Sequence, residues 1–209
     1  MGGSILGTEA IYNFLKNKIK KKLIFVNNLN SNATYFKDKN INLNLIISKS
    51  GNTLETITNA SALIKNKDNN IIITEDKNNY LKDLAIKLKA EVFEHKNYVG
   101  GRYSVLSEVG MLPAELMKLN ENRFKQFNNL IVNKIFIKNL VNNVAATLNF
   151  IKTGKSNSII LNYDEQSESL FKWYQQLIAE SLGKKSKGIL PVISSMPKDN
   201  HSLMQLYLD

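Results

Sequence analysis

Short apolar runs alternate with longer amphipathic stretches along much of the chain, the pattern of an α/β protein with a parallel sheet. Within 9–21, Ile11, Leu15 and Ile19 fall on one helical face. LIFVN (23–27), LNLIIS (43–48), NIIIT (70–74) and EVFEH (91–95) read as strands. Between them, 54–66 sets Leu54, Ile57 and Ile64 on one face, and 79–89 does the same with Leu81, Leu84 and Leu88. Each has the length of a crossover helix. The Val, Ile and Phe content of the strands predicts a sheet buried on both faces.

From Ser104 to about Lys152 the pattern turns almost wholly helical, with Pro113 expected near a turn start. A second α/β unit follows: a strand over 157–163, a helix over 165–182 and a strand over 188–194. The boundary is expected inside the helical connection, near 120–140. It divides the chain into a first domain, 1–125, and a second portion, 126–209, holding the connection and part of a second domain.

Composition narrows the function. The chain has 209 residues and no cysteine, which excludes disulfides, a thiolate nucleophile and zinc–thiolate sites. No apolar run reaches the length of a membrane span. The amino-terminal stretch MGGSILGTEA lacks a basic-then-apolar leader pattern, so a cytoplasmic location is expected. The formal charge of +10 raises nucleic acid as a partner. The lysines are spread through the chain, however, and only KNKIKKK (16–22) is dense, without interleaved aromatics. A solvated basic surface accounts for the charge.

Two loops have the shape of anion sites, where backbone N–H groups and the helix dipole favour negative charge. One is Gly2-Gly3-Ser4; the other is Ser48-Lys49-Ser50-Gly51-Asn52-Thr53. The second packs three hydroxyls, a glycine and a lysine into six residues just before a helix. An ordinary helix cap needs one hydroxyl, so the surplus favours phosphate. Val99-Gly100-Gly101-Arg102-Tyr103-Ser104 follows a strand, pairing a close-approach glycine stretch with a guanidinium. In WYQQLIAESLGK (173–184), Gln176 and Glu180 lie four apart on one helix face, and Gly183 is a natural terminator. Glu180 ends a largely apolar helix, the setting of a candidate general base, although an exposed surface glutamate is the commoner reading of such a position. His201 follows 21 residues later, whereas His95, among charged residues at a strand end, reads as a surface residue.

Taken together, SKSGNTLET (48–56), VGGRYSVLSEVGMLPAEL (99–116), WYQQLIAESLGKKSKGILPV (173–192) and HSLMQLYLD (201–209) resemble the signature stretches of glucose-6-phosphate isomerases, in that family's order. The spacing of Glu180 and His201 resembles the shorter bacterial form. The resemblance implies an SIS-type (sugar-isomerase) fold: doubly wound parallel sheets flanked by helices, in two subdomains of which the second is incomplete. It implies a homodimer that interconverts glucose 6-phosphate and fructose 6-phosphate in glycolysis and gluconeogenesis, without cofactor or metal. Carried over by motif, Ser48, Lys49, Ser50 and Thr53 hold the phosphate, with Gly3 and Ser4 close by. Glu180 shuttles the proton between C1 and C2, and Arg102 stabilises the enediolate. Gly101 and Gln176 line the site, and His201 assists ring opening from across the dimer interface. The family's carboxy-terminal lysine and first strand have no counterpart in these 209 residues, so the chain is expected to be a weakly active or inactive fragment. A non-catalytic SIS-type sugar-phosphate-binding module is the alternative, and acceptance of mannose 6-phosphate stays open.

Overall fold

The computed structural model describes residues 4–29, 43–64, 69–185 and 188–209. Three strands, β1 (Asn44–Ile47), β2 (Asn70–Thr74) and β3 (Glu91–Glu94), form a parallel sheet in the order β1-β2-β3. The crossovers are α2 (Leu54–Leu63) and α3 (Tyr80–Leu88). Ile46, Ile72, Ala60, Leu81 and Ala85 make the core between this sheet and the two helices. Both faces are closed only at β2, where Ile72 and Ile73 are fully buried although successive residues point oppositely. The expectation of a sheet buried throughout therefore fails at β3, an edge strand with Val92 exposed.

A second cluster joins α1 (Ile5–Phe14), a 3₁₀ turn over Gly101–Leu106 and α4 (Glu108–Leu116) through Ile11, Val105, Ala114 and Met117. Gly7 permits the contact: a Cβ there would fall 2.7 Å from that of Val105. Pro113 was expected near a turn but lies inside α4, fully buried. Having no N–H, it deprives the Val109 carbonyl of its helical partner. The Thr8 hydroxyl of α1 donates to that carbonyl instead, at 3.1 Å.

The helical stretch continues as α5 (Glu121–Lys125), α6 (Asn128–Val132) and α7 (Lys134–Lys152). β4 (Asn157–Asn162) and β5 (Leu190–Ser195) pair in parallel, separated by α8 (Glu168–Leu182), and α9 (Met204–Leu208) follows. α8 ties the two parts together. It packs along α1, where Asn13 Nδ2 donates to Ser169 Oγ (2.7 Å), and Gln175 Nε2 donates to Pro191 O (2.7 Å) in β5.

The run 23–27 forms no strand among the described residues. Its apolar groups pack locally instead: Leu23 joins the α1 cluster, and the Phe25 ring lies 5.4 Å from that of Tyr12. The helix expected over 9–21 begins earlier, at Ile5, and ends at Phe14, before the lysine run. No helix among the described residues is long and apolar enough to cross a membrane.

Candidate functional site

The carboxyl ends of parallel strands are where open α/β sheets bind ligands, and the loops after β1, β2 and β3 meet there. The loop after β1 is fastened to its neighbour: Ser48 N donates to Ile73 O (3.1 Å) and Glu75 N to Lys49 O (3.0 Å). Ser48 is buried, and its hydroxyl shares a 2.8 Å hydrogen bond with that of Thr53. This bears on the helix-cap alternative. Thr53 occupies the N-cap of α2, yet no side chain caps that helix, so its first N–H groups keep the anion-binding character of an open helix start. Ser50 is exposed, and its Oγ accepts from Asn52 N at 3.2 Å.

Lys49 is already engaged. Its ammonium donates to Asn97 O (2.9 Å) and pairs with Glu75 (3.5 Å), joining the loop after β1 to those after β2 and β3. A hydrogen bond from Lys77, then one from Lys49, holds the Glu75 carboxyl below the usual glutamate range despite an opposing cost of burial. Ser4 is buried at the head of α1 and forms no side-chain cap; Gly3 lies outside the described residues.

Arg102, Gln176 and Glu180 come together. The turn carrying Gly101 and Arg102 is braced by Ser104 Oγ, which donates to Gly101 O (2.6 Å), and by Trp173 Nε1, which donates to Arg102 O (2.8 Å). Glu180 stands two residues before the end of α8, which stops at Gly183 as expected. Its Oε1 accepts from Gln176 Nε2 at 2.8 Å, and its Oε2 from Arg102 Nη1 at 3.3 Å. The Gln176 carbonyl oxygen is buried with no hydrogen-bond partner among the described residues.

Two neighbours escaped the sequence reading. Ser181 Oγ accepts from Arg102 Nε (2.9 Å) and shares a 2.7 Å bond with Tyr103 OH. Tyr103 also carries the guanidinium on its ring face, 4.5 Å from the centroid. The hydrogen bond from Ser181, then that from Arg102, lowers the Tyr103 phenol from its ordinary pKa. The bond to Tyr103, then the one to Glu180, raises that of Arg102. Adjacency to Arg102 and Glu180 was the available signal, but helical spacing weighs only positions three and four apart.

The two histidines stand in opposite settings. His201 is exposed in the turn over Lys198–His201, past the end of β5, with no bond to Glu180 or Arg102 among the described residues. Asp199 builds that turn by accepting from Ser194 Oγ (2.7 Å) and Ser195 N (2.8 Å). His95 is not a surface residue: it is 1% exposed, and its backbone N–H continues the pairing of β3 with β2 by donating to Thr74 O (2.8 Å). A groove of about 510 Å³ beside α3 and β3, lined by Asp76, Lys82 and Lys89 among others, includes none of the predicted site residues.

Parallel sheets flanked by helices define an α/β protein, and the family and structural matches that follow fit an SIS-like fold. The family model for phosphoglucose isomerase matches residues 1–192, and the chain belongs to that family. It is 37% identical to a glucose-6-phosphate isomerase of Methanocaldococcus jannaschii, with all of this chain and 55% of the relative aligned. A glucose-6-phosphate isomerase of Acholeplasma laidlawii is 34% identical, over all of this chain and 55% of its own length. One from Mycoplasmoides gallisepticum is 32% identical, over all of this chain and 54% of its own length. The chain thus spans about half the length of the curated relatives it matches. A hypothetical protein from Thermus thermophilus shares the fold, with a TM-score of 0.81 at 24% identity, over 99% of this chain and 55% of that one.

Proposed function

We propose that this chain supplies the phosphate loop and the proton-transfer group of an aldose–ketose isomerase acting on glucose 6-phosphate and fructose 6-phosphate. The observation that carries it is the carboxylate of Glu180, held between the Arg102 guanidinium and the Gln176 amide. Binding alone does not call for a base beside a cation; removing a proton next to a carbonyl calls for both. In the opened sugar, Glu180 takes the C2 proton as the C1 carbonyl electrons move onto oxygen. The resulting enediolate is stabilised by Arg102; the C2 hydroxyl proton passes to the C1 oxygen, and Glu180 returns its proton to C1 as the C2 oxygen becomes the carbonyl. The ion pair between Arg102 and Glu180 joins partly exposed side chains. Such pairs contribute only about 0–1 kcal/mol, so an incoming substrate separates them at little cost.

Ser48, Ser50, Thr53 and the uncapped start of α2 bind the phosphate, with Lys49, Gly3 and Ser4 beside it, and Gly101 and Gln176 line the sugar. His201 acts on the ring oxygen from a second copy of the chain, in keeping with its exposure past the end of β5. The two parallel sheets, one before and one after the helical stretch, support a division near 125/126. The test is Glu180→Gln: glucose 6-phosphate affinity is retained while exchange of the C2 proton with solvent disappears. Near-normal exchange in that variant rules the assignment out.

A further inference from the structure

The loop over 48–53 rests on a residue outside its own motif. Asn79 heads α3, extended in backbone and only 7% exposed. Its Oδ1 accepts from Lys82 N at 3.0 Å, capping the helix. Its Nδ2 faces three acceptors at once: Lys77 O (2.9 Å), Thr74 Oγ1 (3.2 Å) and Glu75 O (3.4 Å). Thr74 Oγ1 passes the restraint on by donating to Lys49 O at 3.3 Å.

Gly51 lies directly on this amide. Its φ of +67° is one that glycine adopts freely, and a Cβ there would fall 2.0 Å from Asn79 Oδ1 and 2.1 Å from Cγ. The adjoining N–H groups of α3 also turn to the loop: Tyr80 N donates to Asn52 Oδ1 (3.0 Å) and Leu81 N to Gly51 O (3.2 Å). The two helix starts therefore do different work. The N–H groups of Tyr80 and Leu81 are consumed in seating the loop and that of Lys82 in the Asn79 cap, whereas α2 carries no side-chain cap and stays open to an anion.

We infer that Asn79, with Asn52 as its counterpart on the loop, is a positioning residue for phosphate binding. It holds Gly51 in the left-handed conformation and thereby aims the hydroxyls of Ser50 and Thr53. The inference rests on the reading of 48–53 as the phosphate loop. Neither asparagine touches the phosphate; both act through the backbone of Gly51 and Lys49.

Asn79→Ser separates this role from helix capping, because serine caps about as well as asparagine but cannot reach the same three acceptors or support Gly51. Calorimetric titration of the intact protein with glucose 6-phosphate is the measurement, alongside thermal melting. Asn79→Ser is expected to weaken binding about tenfold, the scale of one lost hydrogen bond, with the melting midpoint little changed. Asn52→Ala is expected to weaken it less, and Ser50→Ala with Thr53→Ala to weaken it most. Wild-type affinity in Asn79→Ser, with the hydroxyl double variant impaired, overturns the positioning role and leaves the phosphate loop standing. Wild-type affinity in the hydroxyl double variant removes the phosphate loop, and the positioning role with it. Should Asn79→Ser fail to fold, Asn52→Ala decides by the same criterion, since its side chain is exposed.

Discussion

The stretch from α1 to α4 and the stretch from α5 to α9 obey the same hydrophobic periodicity and end in different states. In the first, the apolar faces meet: Ile72, Leu81, Val109, Ala114 and Met117 are all essentially excluded from solvent. In the second, Met196 is the single buried hydrophobic residue among those described. α7 is the extreme. Phe136, Leu140, Val144 and Leu148 recur at helical spacing along its 19 residues, yet no residue of the helix is buried. Periodicity specifies that a helix forms and which side is apolar; it says nothing about what covers that side. Propensity, a cap from Asn133 to Phe136 N (3.0 Å) and ordinary backbone bonding hold α7.

The sharpest way to break this comparison is to delete the same group from each region. Leu81→Ala should cost about 2–5 kcal/mol, the range for a fully buried leucine. Leu140→Ala should stay within about 0.5 kcal/mol, because its side chain loses little burial. Urea denaturation of the two variants checks both. Equal costs would mean that α7 is covered in solution, and the contrast between the regions would collapse.

An open stripe of this length should also be adhesive, since large exposed apolar patches promote association. Replacing Leu140, Val144 and Leu148, all exposed, together with glutamine should reduce dye binding to exposed apolar surface and reduce concentration-dependent association. The melting midpoint should hardly move. A fall in stability comparable to that of Leu81→Ala would show that these residues pack against something.

How much could be read in advance follows from where each determinant lies. β2 was legible to the residue, because three isoleucines stand between polar flanks that stop a strand. The run 23–27 looked similar and failed, since a strand exists only if a partner edge is offered, and that is not a local property. Pro113 was misplaced for the same reason: the group that satisfies Val109 O is 101 residues away. At the site, the pairing of Gln176 with Glu180 was visible from spacing. The meeting of Arg102 with Glu180, 78 residues apart, was legible only through family resemblance. Ser181, Tyr103 and Asn79 stayed hidden, since each acts through contacts to distant backbone or to the guanidinium.

Thr8 sharpens the comparison at an intermediate magnitude, within the packed half. Thr8→Val preserves shape but leaves the Val109 carbonyl buried without a donor, at a cost of about 1–3 kcal/mol. Adding Pro113→Ala returns an N–H at the position four residues after Val109. The double variant should therefore recover part of the loss, measured as a coupling in a double-mutant cycle of thermal unfolding. Strict additivity would show that the hydroxyl of Thr8 does not serve the proline gap.

The smallest expected effect concerns pH, and it too belongs to the packed half, where the three loops converge. Glu75 is held ionised by Lys77 and Lys49, so its carboxyl is lowered in the folded state relative to the unfolded chain. A lowered carboxyl stabilises the fold above its unfolded pKa, about 4.3 for glutamate. That contribution fades as pH falls through the lower folded value, because the unfolded chain binds the proton first. Glu75→Gln should accordingly melt slightly below the parent at neutral pH, with the gap closing as the solution is acidified below about pH 4. Because Lys49 also leans on Asn97 O, the loop after β1 should keep its place when Glu75 is neutralised, and glucose 6-phosphate affinity at pH 7 should change little. A gap that widens in acid would reverse the sign of the linkage and mean that Glu75 is strained rather than stabilised by its lysines. A large loss of affinity at pH 7 would show that Glu75, rather than Asn79, sets the aim of the loop.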